Sequence, residues 1–181
     1  MYNDSILILE GSEDLAADVV DRDEEADKLQ WFIERQFNMM LEDSSLSRKL
    51  QASSFEGGVY SNVARYLERI ADHACRFAGV GYVAGLTPGR KILPLAKKAS
   101  EILEDAMKSF INNNPRKATV VIDKGKKTMR KAQTYFENRY KKEMEHPLEF
   151  SIAMDAIMRT IAYSTDISEA AINYSAKMGN K

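Results

Sequence analysis

Cysteine is nearly absent. Cys75 stands alone among 181 residues, so no internal disulfide forms and a multi-cysteine zinc site is excluded. Histidine is almost as scarce: His73 and His146 are the only two, too few for most catalytic zinc centres. Glycine and proline number nine and four, far below a disordered or collagen-like composition. Neither sign of charge dominates. With 26 basic and 27 acidic residues the net charge is −1, which excludes a broad electrostatic grip on nucleic acid or anionic membrane and leaves only local patches. Long apolar runs are missing too. The opening MYNDSILILEGSED has no basic start and only a short apolar run from Ile6 to Leu9. No stretch approaches the roughly 20 apolar residues of a spanning helix. These absences predict a cytoplasmic protein without membrane insertion. Nucleophilic machinery is missing as well: there is no Gly-rich phosphate loop, no GxSxG, and no plausible histidine partner for Cys75.

What is present is helical rhythm. Val59, Val63, Tyr66/Leu67, Ile70, Ala74 and Phe77 fall at steps of three and four, the period of one buried helix face. Leu15, Val19, Ala26, Leu29, Ile33 and Met40 keep the same rhythm, as do the runs from Leu93 to Phe110, Val121 to Tyr140 and Phe150 to Ile172. Breakers separate them. Ser12, after Gly11, is placed to cap the next helix. A Ser-rich loop spans Asp43 to Gly58, and the stretch from Gly79 to Gly89 is a mid-chain linker. Asn114-Pro115 and His146-Pro147 each stop one helix and start the next. The pattern predicts a stub and five helices, over about 2–10, 12–42, 56–79, 92–112, 115–145 and 148–177.

This reads as an all-α fold of two antiparallel three-helix bundles related by an internal repeat, residues 1–87 and 88–181. The first helix of the first repeat is truncated, with about ten residues where the second repeat has about twenty. Either the chain is trimmed from a longer protein, or a partner supplies the missing surface, or the copies have diverged. A shortened helix leaves apolar faces over 13–41 and 59–77 partly uncovered, which predicts a homodimer or higher oligomer with Ile6, Leu7, Leu9 and Trp31 at or beside the contact.

The informative polar feature is carboxylates four residues apart: Asp23 and Asp27, and Glu68 and Asp72. Helical arithmetic sets each pair well off its apolar stripe, on a face turned from the core. Like charges at this spacing repel by roughly 0.2–0.5 kcal/mol per pair. A cation bridging four carboxylates would reverse that cost. Chance placement on a highly charged helix surface is the plain alternative.

The segment RYLERIADHACRFA, with LAADVVDRDEEADKLQWFIERQ before it, resembles the PhoU family of phosphate-uptake regulators. It looks most like the archaeal branch, in which a PhoU region often follows an AbrB-like DNA-binding domain. The resemblance implies a cytoplasmic, helical, non-enzymatic regulator of phosphate uptake or phosphate-starvation responses. Its partners would be a phosphate transporter or a regulatory protein, and nucleic acid would be reached only through a domain outside this chain. It also implies a multinuclear metal site, iron or zinc in the family, on Asp23, Asp27, Glu68 and Asp72. Carboxylate ligands would equally accept manganese or magnesium. The second repeat departs from the pattern. There Asp72 aligns with Asp166 but Glu68 with Ala162, and Lys124, Lys126 and Lys127 lie near Asp123.

Two rival readings remain at this point. Glu143-x-x-His146 has the spacing of a ferritin-like di-metal carboxylate enzyme, which needs two such motifs. A plain helical oligomerisation module for an upstream DNA-binding domain is the other. His73 is placed to pack at a bundle flank or reach a metal edge, Cys75 to be a small buried side chain, and Trp31 to sit on a shoulder or against another subunit. The basic run Lys124–Lys131 reads as a solvated face or a dock for an acidic partner.

Overall fold

The computed structural model describes residues 1–10, 12–84, 92–140 and 146–178. Among them there are helices and no strand. In chain order these are α1 (Tyr2–Leu9), a 3-10 turn (Glu13–Leu15), α2 (Ala16–Glu42), α3 (Ser44–Lys49), α4 (Ser54–Ala84), α5 (Ile92–Ile111), α6 (Pro115–Tyr140) and α7 (Pro147–Met178). The repeat boundary predicted at 87/88, most of the 79–89 linker and the end of the 115–145 helix lie outside the described residues.

Local chemistry explains the starts and stops. Asn114 accepts from the Lys117 N–H at 2.9 Å, with Pro115 in the first turn, where its missing N–H costs nothing. Asn113 takes the left-handed conformation, φ 46°, and so turns α5 sharply into α6. A reciprocal box opens α4: Glu56 accepts from the Ser53 N–H at 2.8 Å, and Ser53 Oγ accepts from the Glu56 N–H at 3.2 Å. That box starts α4 earlier than the apolar rhythm indicated. The Ser-rich loop holds a short helix instead, α3, capped by Asp43, which accepts from the Ser45 N–H at 2.8 Å. Ser12 does not cap α2. The 3-10 turn intervenes, and Leu15 stands at the cap without a side-chain bond.

The helices pack as a layer in the order α2, α4, α7, α6, with α1 lying against α4 and α5 against α6 and α7. α1 also touches α5, tied to it by Lys97 to Glu10 at 2.6 Å, so both lie on one side of the layer. The core fills the space beneath them: Phe77, Ile102, Met154, Ile157, Ile161 and Ile167 are each at most 0 % exposed. α7 runs through the centre although it carries Thr160, Ser164 and Ser168, all buried. Each donates its hydroxyl to the carbonyl four residues earlier, at 2.9, 2.6 and 3.0 Å, so no buried polar group is left open there.

α1 has 8 residues and α5 has 20, so the first helix is the shorter, as the sequence indicated. Beside the start of α1 a cavity of about 370 Å³ remains, lined by Met1, Leu29, Ile33, Leu67, Glu68 and Leu103 among others. Most of the uncovered surface lies on α2, where Val20, Leu29, Trp31, Phe32, Met39 and Leu41 are exposed. The α4 face through Val63, Ile70, Ala74 and Phe77 is buried in the chain's own core, as is Ile6. Ile6 is therefore not a contact residue, whereas Leu7 and Trp31 are exposed. The side chain of Leu9 lies outside the described residues.

Candidate metal centre

The α2–α4 seam departs most from the sequence reading. Leu29 is not in the buried stripe; it is 62 % exposed. The inward face is instead the heptad Val19, Ala26, Ile33, Met40, interleaved with Asp23, Gln30 and Phe37, all buried or half-buried. Seven-residue spacing with a second set four residues on is the signature of a helix pair packed along a seam. At the far end of the seam, Gly57 of α4 lets the helices close. A Cβ there would come within 3.1 Å of the Phe37 ring and 3.2 Å of Met40 Sδ.

This rotation brings the carboxylates inward. Asp23 and Asp27 do not face away from the core; they meet Glu68 and Asp72 across the seam, and all four are half-buried. Asp27, Glu68 and Asp72 each offer a carboxylate oxygen within 4.8 Å of the other two. Asp23 lies one turn earlier, its Oδ1 buried with no hydrogen-bond partner. Burial first, then the neighbouring Asp72 and Asp27, push its carboxyl above the usual range. Glu68 is raised in the same way, by burial and then Asp72, with Arg69 pulling the other way. Arg69 holds Glu68 at 3.5 Å and Asp72 at 3.4 Å from a position 53 % exposed. One solvated guanidinium does not balance four crowded carboxylates.

The next turn of the seam is conventionally paired. Arg65 reaches Glu34 at 2.8 Å, and Gln30 donates to Glu34 at 2.7 Å. The charge excess is therefore local to the four carboxylates. Cys75 is nearby and half-buried. Burial, Asp23 and Asp72 all raise its thiol, so it stays protonated and is a poor ligand. His73 lies on the opposite side of α4, buried against α7, where its ring stacks on Tyr163 and Nδ1 sits 3.9 Å from Asp155. It is a packing residue and does not reach the cluster.

The α6–α7 groove occupies the corresponding place in the second set of three helices. Gly125 is the close-approach glycine here; a Cβ would lie 3.3 Å from Thr165 Oγ1. A cavity of about 390 Å³ is lined by Lys126, Met129, Arg130, Ile161, Ala162 and Asp166, among others. Among the described residues no second trio of carboxylates converges as Asp27, Glu68 and Asp72 do. Asp166 is raised by burial and by Glu169. Of the lysines expected nearby, Lys126 lines the groove, whereas Lys124 turns to α5 and pairs with Asp105 at 3.1 Å and Glu101 at 3.5 Å. Glu143 of the ExxH motif lies outside the described residues.

The architecture and the seam define an all-α bundle protein with paired carboxylates across two long antiparallel helices. Residues 1–80 match the family model described as PhoU domain, a span that includes all four carboxylates. No curated protein and no solved structure matches the chain. Among the described residues, no helix is long and apolar enough to cross a membrane.

Proposed function

We propose that this chain is a non-enzymatic, cytoplasmic regulator of phosphate uptake or the phosphate-starvation response, working through protein contacts and holding a cation in the α2–α4 seam. The observation that carries the reading is the coincidence of the PhoU-domain match with the crowded carboxylates inside it. The donor set fits a metal. The ligands are all oxygen, half-buried and short of counter-charge, and Asp23 has a buried oxygen without a partner. Magnesium, manganese and iron accept such donors, and zinc tolerates them. Asp27, Glu68 and Asp72 would hold the ion, with Asp23 completing the shell. A bound cation would neutralise the seam and lock α2 to α4. The partner would be a phosphate transporter or a regulatory protein, and the chain would self-associate.

Deleting the gene in its own host is expected to raise phosphate uptake in phosphate-rich medium, with the wild-type gene restoring repression. Unchanged uptake sinks the regulatory reading. Oxygen consumption by the iron-loaded protein would instead favour a ferritin-like oxidase.

A further inference from the structure

The near-zero net charge hides a strong segregation. α2 carries eight acidic and three basic residues. α6, of nearly the same length, carries eight basic and two acidic ones. These two helices form opposite edges of the four-helix layer. Among the described residues, Lys126, Lys127, Arg130 and Lys131 are exposed and no ion pair is found for them, whereas Lys117 and Lys124 are taken up by Asp105 on α5.

Both charged grooves open on the same side of the layer. Ala74 faces α1, where its carbonyl accepts from Ser5 Oγ at 2.9 Å. Asp72, two residues earlier, therefore points about 160° away from α1. Lys124 faces α5, and Lys126, two residues on, points about 160° away from it. Since α1 and α5 share one side, the carboxylate cluster and the Lys126–Arg130 groove share the other, which no helix among the described residues covers. Trp31, one turn from Asp27 and 61 % exposed, lies on that same side.

We propose that this bare face is where a second copy of the chain docks, the acidic α2 edge of each copy lying over the basic α6 edge of the other. Charge selects the geometry. A two-fold axis running along the helices puts α2 over α6 of the partner copy, twice per pair, and closes the assembly. An axis running across the helices would put α2 on α2 and α6 on α6, like charge on like. The contact does not depend on the regulatory reading or on a metal. A cation in the seam would compete with the partner copy's Lys126 and Arg130 for the same carboxylates, so loading the seam loosens the pair.

The test is sedimentation velocity of the full chain at about 50 μM in low salt, with Trp31 emission as a second readout. The wild type is expected to sediment as a dimer that weakens in 0.5 M salt, roughly as charge-steered contacts do, with Trp31 emission shifting red on dissociation. Lys126→Glu/Arg130→Glu, both at exposed positions, is expected to weaken the pair at least about tenfold with helix content unchanged. Asp21→Lys/Glu24→Lys, also exposed and outside the seam, does the same. Mixing the two variants restores the dimer, and so does combining all four changes in one chain. A wild-type monomer in low salt overturns the proposal. So does a dimer insensitive to Lys126→Glu/Arg130→Glu but broken by Leu29→Asp, which would place the contact at the apolar cavity beside α1. Loss of pairing without rescue by the charge swap overturns it too, and leaves the α6 face to an acidic partner of another kind.

Discussion

The two sets of three helices solve the same packing problem with opposite electrostatics. In each, two long antiparallel helices close where a glycine sits: a Cβ on Gly57 would lie 3.1 Å from Phe37, and one on Gly125 3.3 Å from Thr165. Beyond that they diverge. The first seam crowds four carboxylates with one solvated arginine beside them. The second replaces the central glutamate with Ala162 and puts Lys126 and Arg130 on the rim. The first has an 8-residue helix over it and the second a 20-residue one. The fold is therefore indifferent to what lines the groove. Stability comes from Phe77, Ile157, Ile161 and their neighbours beneath α1 and α5, and the grooves on the far side are free to specialise.

The largest effect that tests this contrast is loss of cation binding. Glu68→Ala/Asp72→Ala is expected to weaken binding of manganese or iron by about a hundredfold or more, with helix content kept, because two of three converging ligands go. Asp166→Ala should leave binding unchanged. Titration calorimetry on protein purified without a metal-affinity tag reads both. If Asp166→Ala removes the ion, the cation belongs to the second seam. A smaller effect would come from rebuilding that seam. Ala162→Glu with Lys126→Asp and Arg130→Asp sets carboxylates beside Asp166, and should create a second, weaker site, about tenfold below the first in affinity, since Thr165 and Met129 offer nothing that orients it. A rebuilt chain that still binds one equivalent would show that the first seam depends on more than ligand count.

The stub and the five long helices, the turn at Asn114-Pro115 and the shortness of α1 were legible because breakers and a 3.6-residue period are local properties; the short α3 inside the Ser-rich loop was not. The orientation of α2 was not. A hydrophobicity-led stripe draws Leu29 inward, since nothing local tells an exposed leucine from a buried one. The strict heptad Val19, Ala26, Ile33, Met40 was the better guide, and following it turns Asp23 and Asp27 to the seam. Spacing and resemblance thus singled out four carboxylates, three of which converge, but set the α2 pair on the wrong face. Their convergence depends on the register between α2 and α4, a long-range property that no single segment encodes. The α6 cations were visible as a run, but their meaning needed α5, which claims Lys117 and Lys124 and leaves the others free.

The smallest expected effect is the response to pH, in which the crowded first seam and the α5–α6 ion pairs of Asp105 have opposite signs. In the first, Asp23 and Glu68 sit above their ordinary values, chiefly through burial. The native state then holds protons that the unfolded chain has released, so the stability these groups contribute is complete at low pH and lost as pH climbs through the carboxylate range. Asp166, in the α6–α7 groove, is raised by burial and Glu169 and shares that sign. Between α5 and α6, burial works to raise Asp105, but the bonds from Lys124 and Lys117 outweigh it and hold the carboxyl below its ordinary value. Its contribution is present above that range and lost as pH falls through it. Both groups are partly solvated, so each slope amounts to at most about 1 kcal/mol. Urea midpoints of cation-free protein between pH 3 and 6 separate them. Asp23→Asn should flatten the decline with rising pH and stabilise the cation-free chain near neutrality, while Asp105→Asn should remove the gain. Adding the cation to the wild type should abolish the decline as well, with proton release on binding, because a metal takes only the ionised carboxylates. A decline no shallower after Asp23→Asn and Glu68→Gln together would mean that the crowding at the seam carries no energetic cost, and with it would go the reason to expect a cation there.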